Sequence, residues 1–417
     1  MITTLLRQYS HINYALADQA LVSGVNFLTG ILLARVLGLE SFGVFTLLWM
    51  VVLFVNSIQM AAISSPMMTI GPKQSINDEH LYYQSIIGNQ LLFSIFTTIL
   101  VLAVLSLASF IFKDLGLSNI LFPLVLVVFF NQNQDFLRRY FFVLKRPYDA
   151  LLIDLVSYGG QLAALVVLYG FYDVSIYTVL LLIAATSAAS ILVAVNKIDI
   201  AIPDFKRIQV VWLRNWSFSK WSILSALFQW GSSNMIFIFI GLLLGSSSVG
   251  ALKACQNVLA ALHIFFQGME NFVPVRASLY LYDSGFSALR NYINRVLLFG
   301  GAGVLILLST TYFLSSHLLA ALYGDDYLAY GYVLKIYSIA YLFLFTAFPL
   351  IFGLRAIENV KAVFVAQLFS SAFVFIVGWF AVEVYELQGA AVMILISYII
   401  QNIILSLHFY RNGSSKV

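Results

Sequence analysis

Between the apolar runs FPLVLVVFF and YFFVLKRP lies NQNQDFLRR, residues 131–139, in which seven of nine side chains are polar or charged. Amides, a carboxylate and two guanidiniums at this density can relay hydrogen bonds, pair charges and hold an anion. On a helix Asn131, Gln134, Asp135 and Arg138 share one stripe, with Gln132 and Arg139 along its edge. Asp135 is spaced to pair with Arg138 at i+3 or Arg139 at i+4, which lowers the cost of holding both signs in apolar surroundings. Arg138 and Arg139 suit a salt-bridged anchor. Asn131 and Gln134 stand deeper and point to a hydrated vestibule.

A second polar stripe runs through Lys253, Gln256, Asn257, His263, Gln267, Glu270 and Asn271, at steps of three and four or their multiples. Such a face along an otherwise apolar helix is expected to wall an aqueous cavity. Lys253 and Lys335 stand roughly two turns in from one end of their helices and suit an anionic ligand. Arg35 closes its helix, where a cation complements the helix dipole and snorkels to water. Asp18, His263 and Glu270 are the groups expected to couple to an ion gradient; an unperturbed imidazole titrates near neutrality. For Asp18 a solvated helix end is the competing expectation.

Other chemistry is missing from the sequence. There is no phosphate-binding glycine loop, which excludes a self-contained ATP-driven pump, and no paired-histidine metal motif. The single cysteine, Cys255, permits neither an intramolecular disulfide nor a cysteine metal site. No long loop stands ready to hold an acceptor, so a glycan polymerase or acyltransferase is disfavoured and no catalytic residue is expected. No cofactor is expected beyond an H+ or Na+ gradient, and no nucleic-acid partner.

The elements that must position these residues follow from composition. Of 417 residues 61% are hydrophobic and 10% charged, against about 25% charged in an ordinary soluble domain. Apolar runs long enough to cross about 30 Å of hydrocarbon as helices recur along the whole chain. A β-barrel would need short alternating segments instead. The sequence therefore specifies an all-α polytopic membrane protein with about twelve spans: 14–38, 42–66, 84–110, 118–143, 150–171, 174–196, 220–244, 247–272, 290–314, 327–352, 360–382 and 388–410. The first apolar run follows Arg7 and His11 and continues into a full span, as expected of an uncleaved one.

Charge sets the orientation. Of the 22 Lys and Arg, all but Arg35, Lys113, Lys253 and Lys335 fall on the side of the N-terminus and the even-numbered connections. By the positive-inside rule both termini are expected to be cytoplasmic. The longest connection, roughly 197–219, mixes basic residues with Trp212 and Trp216 and reads as an interfacial linker. It suggests an N-terminal lobe of six spans over 1–205 and a C-terminal lobe over 206–417. VLGLESFGVFTL (36–47) matches LLGSSSVGALKA (243–254), pairing Gly38 with Gly245 and Gly43 with Gly250. FFVLKRPYDALLIDLVS (141–157) is similar to IFGLRAIENVKAVFVAQLFS (351–370). Two same-orientation halves of this kind commonly enclose a cavity that opens to either side.

The segment LLARVLGLESFGVFTL (32–47) resembles the polysaccharide transporter family, the Wzx-type O-antigen and exopolysaccharide repeat-unit flippases. These share a superfamily with MATE multidrug antiporters and lipid II flippases. The matching positions are Ala34, Arg35, Leu37, Gly38, Phe42 and Gly43; Leu39 stands where the family often has proline. LYGDDYLAYGYVLKIYS (322–338) and RRYFFVLKRPYDALLID (138–154) resemble further family segments. The resemblance implies a MATE-like V-shaped bundle of two lobes in the bacterial inner membrane. It also implies movement of an undecaprenyl-diphosphate-linked oligosaccharide between leaflets by alternating access, beside other glycan-assembly membrane proteins. Lys253, Gln256, Asn257, Lys335, Arg35, Asn131, Gln134, Asp135, Arg138 and Arg139 are the expected substrate contacts. A MATE-like multidrug or cation antiporter is the alternative, carried by Asp18 and Glu270.

Overall fold

A computed structural model of the chain describes residues 10–74, 76–111, 118–171, 174–198 and 204–412. All regular structure among them is helical. In chain order the elements are α1 (Ser10–Gln59), a π-helical turn (Met60–Ser64), α2 (Ser65–Ile70), a 3₁₀ turn (Gly71–Lys73), α3 (Ile76–Ile111) and α4 (Ser118–Val143). Then come α5 (Pro147–Asp154), a second π turn (Leu155–Gly159), α6 (Gly160–Phe171), α7 (Ile176–Val195), α8 (Phe205–Leu243) and α9 (Ser246–Leu259). The remainder is α10 (Ala261–Phe313), α11 (Ser315–Tyr323), a 3₁₀ turn (Asp325–Tyr330), α12 (Gly331–Ala356) and α13 (Val360–Asn412).

Among the described residues 8 helices are long and apolar enough to cross a membrane, or 9 if the bent pair Phe205–Gly231 and Ser233–Leu243 is one span. The longest are not single crossings. At 1.5 Å per residue a 50-residue helix would run about 75 Å, more than twice the hydrocarbon thickness. Non-helical dihedrals break α1 at Gly38, α10 at Gly285 and α13 at Glu386. Cut there, the chain runs as segments 10–37, 39–70, 76–111, 118–143, 147–171, 176–195, 205–243, 246–284, 286–313, 325–356, 360–385 and 387–412, which match the twelve expected spans. The linker ends sooner than its composition suggests: α8 begins at Phe205 and continues unbroken through Trp212 and Trp216 into the span. Large apolar side chains such as Phe96, Phe110, Ile306, Phe313 and Ile376 are exposed, as lipid-facing surface requires. The fold is that of an all-α polytopic membrane protein.

The chain divides into two compact units. One comprises 1–32 and 48–231, the other 33–47 and 232–417. In the first, α4 lies against α3, α5 and α7. Its core gathers Tyr82, Tyr83, Ile86, Phe136, Tyr140, Phe141 and Ile153. In the second, α12 is central, packed on α10, α13, α9 and α11.

Local geometry repeats between the halves of the sequence. Gly38 (φ 74, ψ 172) and Gly245 (φ 84, ψ 175) hold the same left-handed extended conformation, which a side chain would strain. Within the second unit Gly43 and Gly250 are closely apposed: a Cβ on Gly43 would overlap the Ser246 carbonyl, and one on Gly250 that of Leu39. Lys145 (φ 58) and Glu358 (φ 59) each end a helix in the left-handed conformation. Lys145 N donates to Phe142 O and Arg146 N to Phe141 O at 3.1 and 2.8 Å; Glu358 N donates to Arg355 O and Asn359 N to Leu354 O at 3.0 and 2.9 Å. Both are Schellman turns, which satisfy the last orphan carbonyls of a helix.

Candidate functional site

The polar segment of α4 is the hub of the first unit, and its residues reach four other helical segments. Asn131 Oδ1 accepts from Asn56 Nδ2 of α1 at 2.9 Å. Gln132 Nε2 donates to Thr97 Oγ1 of α3 at 3.1 Å, and Asn133 Oδ1 accepts from Gln90 Nε2 of α3 at 3.2 Å. Gln90 Oε1 in turn accepts from Gln59 Nε2, which also bonds Ser64 Oγ in the first π turn. Gln134 Nε2 donates to Asp154 Oδ1 of α5 at 2.7 Å. The amides that looked set to line a vestibule are thus buried, Gln132 and Gln134 with no exposure and Asn131 with 7%. Burial without these partners would cost about 1–3 kcal/mol per group.

Arg138 occupies the end of this network. Its Nη2 lies 2.6 Å from Asp18 Oδ2, and its Nε lies 2.6 Å from Asp154 Oδ2. Both carboxylates are fully buried and the arginine is 15% exposed. Asp18 is therefore no solvated helix end. Asp135 turns to Arg139 instead, at 2.9 Å along the helix, so of the two pairings open to Asp135 the i+4 one forms. The second π turn directly follows Asp154 and contains Tyr158, and the first directly follows Gln59. Such widened turns shift the register of a helix face and recur at functional sites. No sequence signal marks them.

A second charged group closes the neighbouring helix ends. Asp149 receives Lys197 Nζ at 2.5 Å and Arg146 Nε at 2.7 Å, while Arg146 Nη1 bonds the Lys197 carbonyl. Spacing within the sequence did not reveal this clamp, since Lys197 lies 48 residues from Asp149.

In the second unit the cations are handled differently. Arg35 donates through Nε to Leu322 O at 2.6 Å and through Nη2 to Ala321 O. It thereby caps the C-terminus of α11, a helix other than its own, where a cation is stabilised by the dipole. The Tyr327 hydroxyl reaches Ala34 O at 3.5 Å, so the motifs at 32–47 and 322–338 meet in space. Lys335 is exposed and lies over the Tyr312 ring, 5.7 Å from its centroid. Lys253 is half-buried on α9, on the same face as the half-buried Gln256 and Asn257. Gln256 lies beside the Tyr337 hydroxyl and Asn257 beside that of Tyr323. Every ion pair among the described residues lies in the first unit, and Lys253 belongs to none of them. The side chains of His263, Gln267, Glu270 and Asn271 lie outside the described residues. No group of three or more His, Cys, Asp or Glu is placed to hold a metal ion among the described residues.

The sequence profile of the polysaccharide biosynthesis protein family matches residues 32–277, and that of MatE matches 222–380. None of the curated proteins matches the chain. Among solved structures, the chain is similar to the lipid II flippase MurJ in an inward closed conformation (14% identity, TM-score 0.68, covering 96% of this chain and 87% of that one). It is also similar to an inward-facing multidrug resistance MATE family transporter of the MOP superfamily (12% identity, TM-score 0.70, 95% of each chain). A third likeness is to a MOP superfamily transporter from Pyrococcus furiosus (13% identity, TM-score 0.58, 98% of this chain and 95% of that one). At these identities the likenesses establish the fold.

Proposed function

The chain belongs to the polysaccharide biosynthesis protein family, and from that membership we propose that it is a flippase for polyprenyl-diphosphate-linked oligosaccharide repeat units. It moves them from the inner to the outer leaflet of a bacterial cytoplasmic membrane by alternating access, driven by an ion gradient. Both termini lie in the cytoplasm, and membrane lipids and other glycan-assembly membrane proteins are its neighbours.

The observation that carries this reading is the contrast in charge between the units. In the first unit every one of Arg138, Arg139, Arg146 and Lys197 has a carboxylate: Arg138 is shared by Asp18 and Asp154, Arg139 holds Asp135, and Arg146 and Lys197 hold Asp149. In the second, Lys253 has no carboxylate partner among the described residues and stands on a face with two amides. A diphosphate needs a cationic donor, and sugars need neutral hydrogen-bonding groups, so this face supplies both. Lys253, Gln256 and Asn257 are the contacts proposed for the headgroup. Arg35 serves the fold by capping α11, and Lys335 lies on an exposed face.

Deleting the gene in a strain with no second such transporter should abolish surface glycan and leave lipid-linked repeat units unflipped. Unchanged glycan display would overturn the reading. In complementation, Lys253→Ala should lower display at normal protein abundance, whereas Arg35→Ala should act by lowering abundance.

The MatE match over 222–380 favours a second reading, a drug or cation antiporter. Against it, the buried Asp18 carboxylate that would attract a cationic drug already holds Arg138. Resistance to cationic drugs on expression would support this reading instead.

A further inference from the structure

Helix α10 of the second unit reverses direction at Gly285 (φ 74, ψ −173), and the rings of Tyr280 and Tyr292 stack across the reversal with centroids 4.9 Å apart. Twelve residues of unbroken helix would part them by about 18 Å. The two arms are thus antiparallel, and the stacked tyrosines set their register. Arg276 stands four residues before Tyr280 and Arg295 three residues after Tyr292, so each lies one turn from its tyrosine on the same helix face. Both steps lead away from the reversal, which brings the two arginines to one level about 5–6 Å from the stack. Both side chains are exposed, and neither belongs to an ion pair among the described residues. Asp283, the acid nearest to Arg276 in sequence, is seven residues away toward the tip of the hairpin, about 10 Å along the helix. Arg290 is occupied elsewhere: its guanidinium lies over the Tyr410 ring of α13, 5.3 Å from the centroid. Leu298 and Phe299, 68% and 74% exposed, begin the lipid-facing surface just after Arg295. The pair therefore stands at the boundary between hydrocarbon and water, on the side that the charge asymmetry assigns to the cytoplasm.

We propose that Arg276 and Arg295 form a pincer for the phosphate of an inner-leaflet lipid headgroup, roofed by the Tyr280–Tyr292 stack. Guanidinium forks match the non-bridging oxygens of a phosphate bidentately, and two cations with no acid between them fit an anion. Phenols sit well at this depth, where the ring meets apolar chains and the hydroxyl meets water. The hydrocarbon chains of the lipid lie along Leu298 and Phe299. Positive charge by itself draws anionic lipid to a cytoplasmic face; the pincer adds dependence on two particular arginines. Two lipids carry the chemistry it recognises, an anionic phospholipid and a polyprenyl diphosphate. The site stands on the geometry of the hairpin and not on the flippase reading.

The test is native mass spectrometry of the purified full-length protein titrated with phosphatidylglycerol, comparing two double variants that remove equal charge from exposed positions. Arg276→Gln with Arg295→Gln should weaken the first-bound lipid by about tenfold or more, as the loss of charge-assisted hydrogen bonds implies. Arg290→Gln with Arg411→Gln should change it by less than about twofold, the size of a screened surface effect. Equal losses in the two doubles would reduce the surface to diffuse charge, and no loss in the first would remove the pincer; either overturns the proposal. Farnesyl diphosphate distinguishes the sources. If it displaces phosphatidylglycerol from the wild type, the pincer serves a diphosphate lipid; if phosphatidylglycerol stays bound, it serves phospholipid. A protein that passes this test and moves no lipid-linked glycan keeps the site and loses only the flippase reading.

Discussion

Arg138 and Arg139 are neighbours in sequence and opposite in consequence. Arg139 makes a local bond to Asp135 with both partners partly exposed, at 28% and 16%. Pairs of that kind are worth about 0.2–1 kcal/mol. Arg138 bridges two carboxylates with no exposure, and removing one partner of a buried pair costs about 3–5 kcal/mol. Arg138→Leu is therefore expected to lower thermal stability of the purified protein sharply, and Arg139→Leu only slightly; equal shifts in a melting assay would contradict this ranking. The sequence showed that the segment at 131–139 was special and which of its residues share a stripe. It did not show the partners of Arg138, because one of them, Asp18, lies 120 residues away. Nor did it show that the amides face other helices. Spacing reports which way a side chain points along its own helix, and only packing decides whether water or protein is there.

Helices themselves were legible, since an uninterrupted apolar run of membrane-spanning length has few alternatives. Their ends were less so. The left-handed residues Lys145 and Glu358 carry no glycine signal, although glycine is the usual occupant of that position. An L-residue there costs roughly 1–2 kcal/mol in backbone strain. Lys145→Gly and Glu358→Gly should each raise the unfolding temperature, by a stabilisation of about 0.5–1 kcal/mol; a lower melting temperature in both would show that their side chains contribute more than the strain costs. The opposite holds where Gly43 meets Gly250. Gly43→Val should sharply lower the yield of folded protein, because the obstruction is backbone and has no rotamer to change. Normal yield and melting behaviour would refute that contact.

Across the whole molecule the charge asymmetry predicts orientation. A fluorescent protein fused at the C-terminus should fluoresce, and an alkaline phosphatase fused there should be inactive, because positive charge gathers on the side assigned to both termini; active phosphatase would reverse the topology. The two landmarks that recur along the chain also measure something. From Gly38 to Lys145 is 107 residues, and from Gly245 to Glu358 is 113. Six residues in helix amount to about 9 Å of rise, well over one turn. The two halves therefore keep a common plan at both landmarks while differing in length between them. Two copies of the first half would place these landmarks six residues closer together than the second half does.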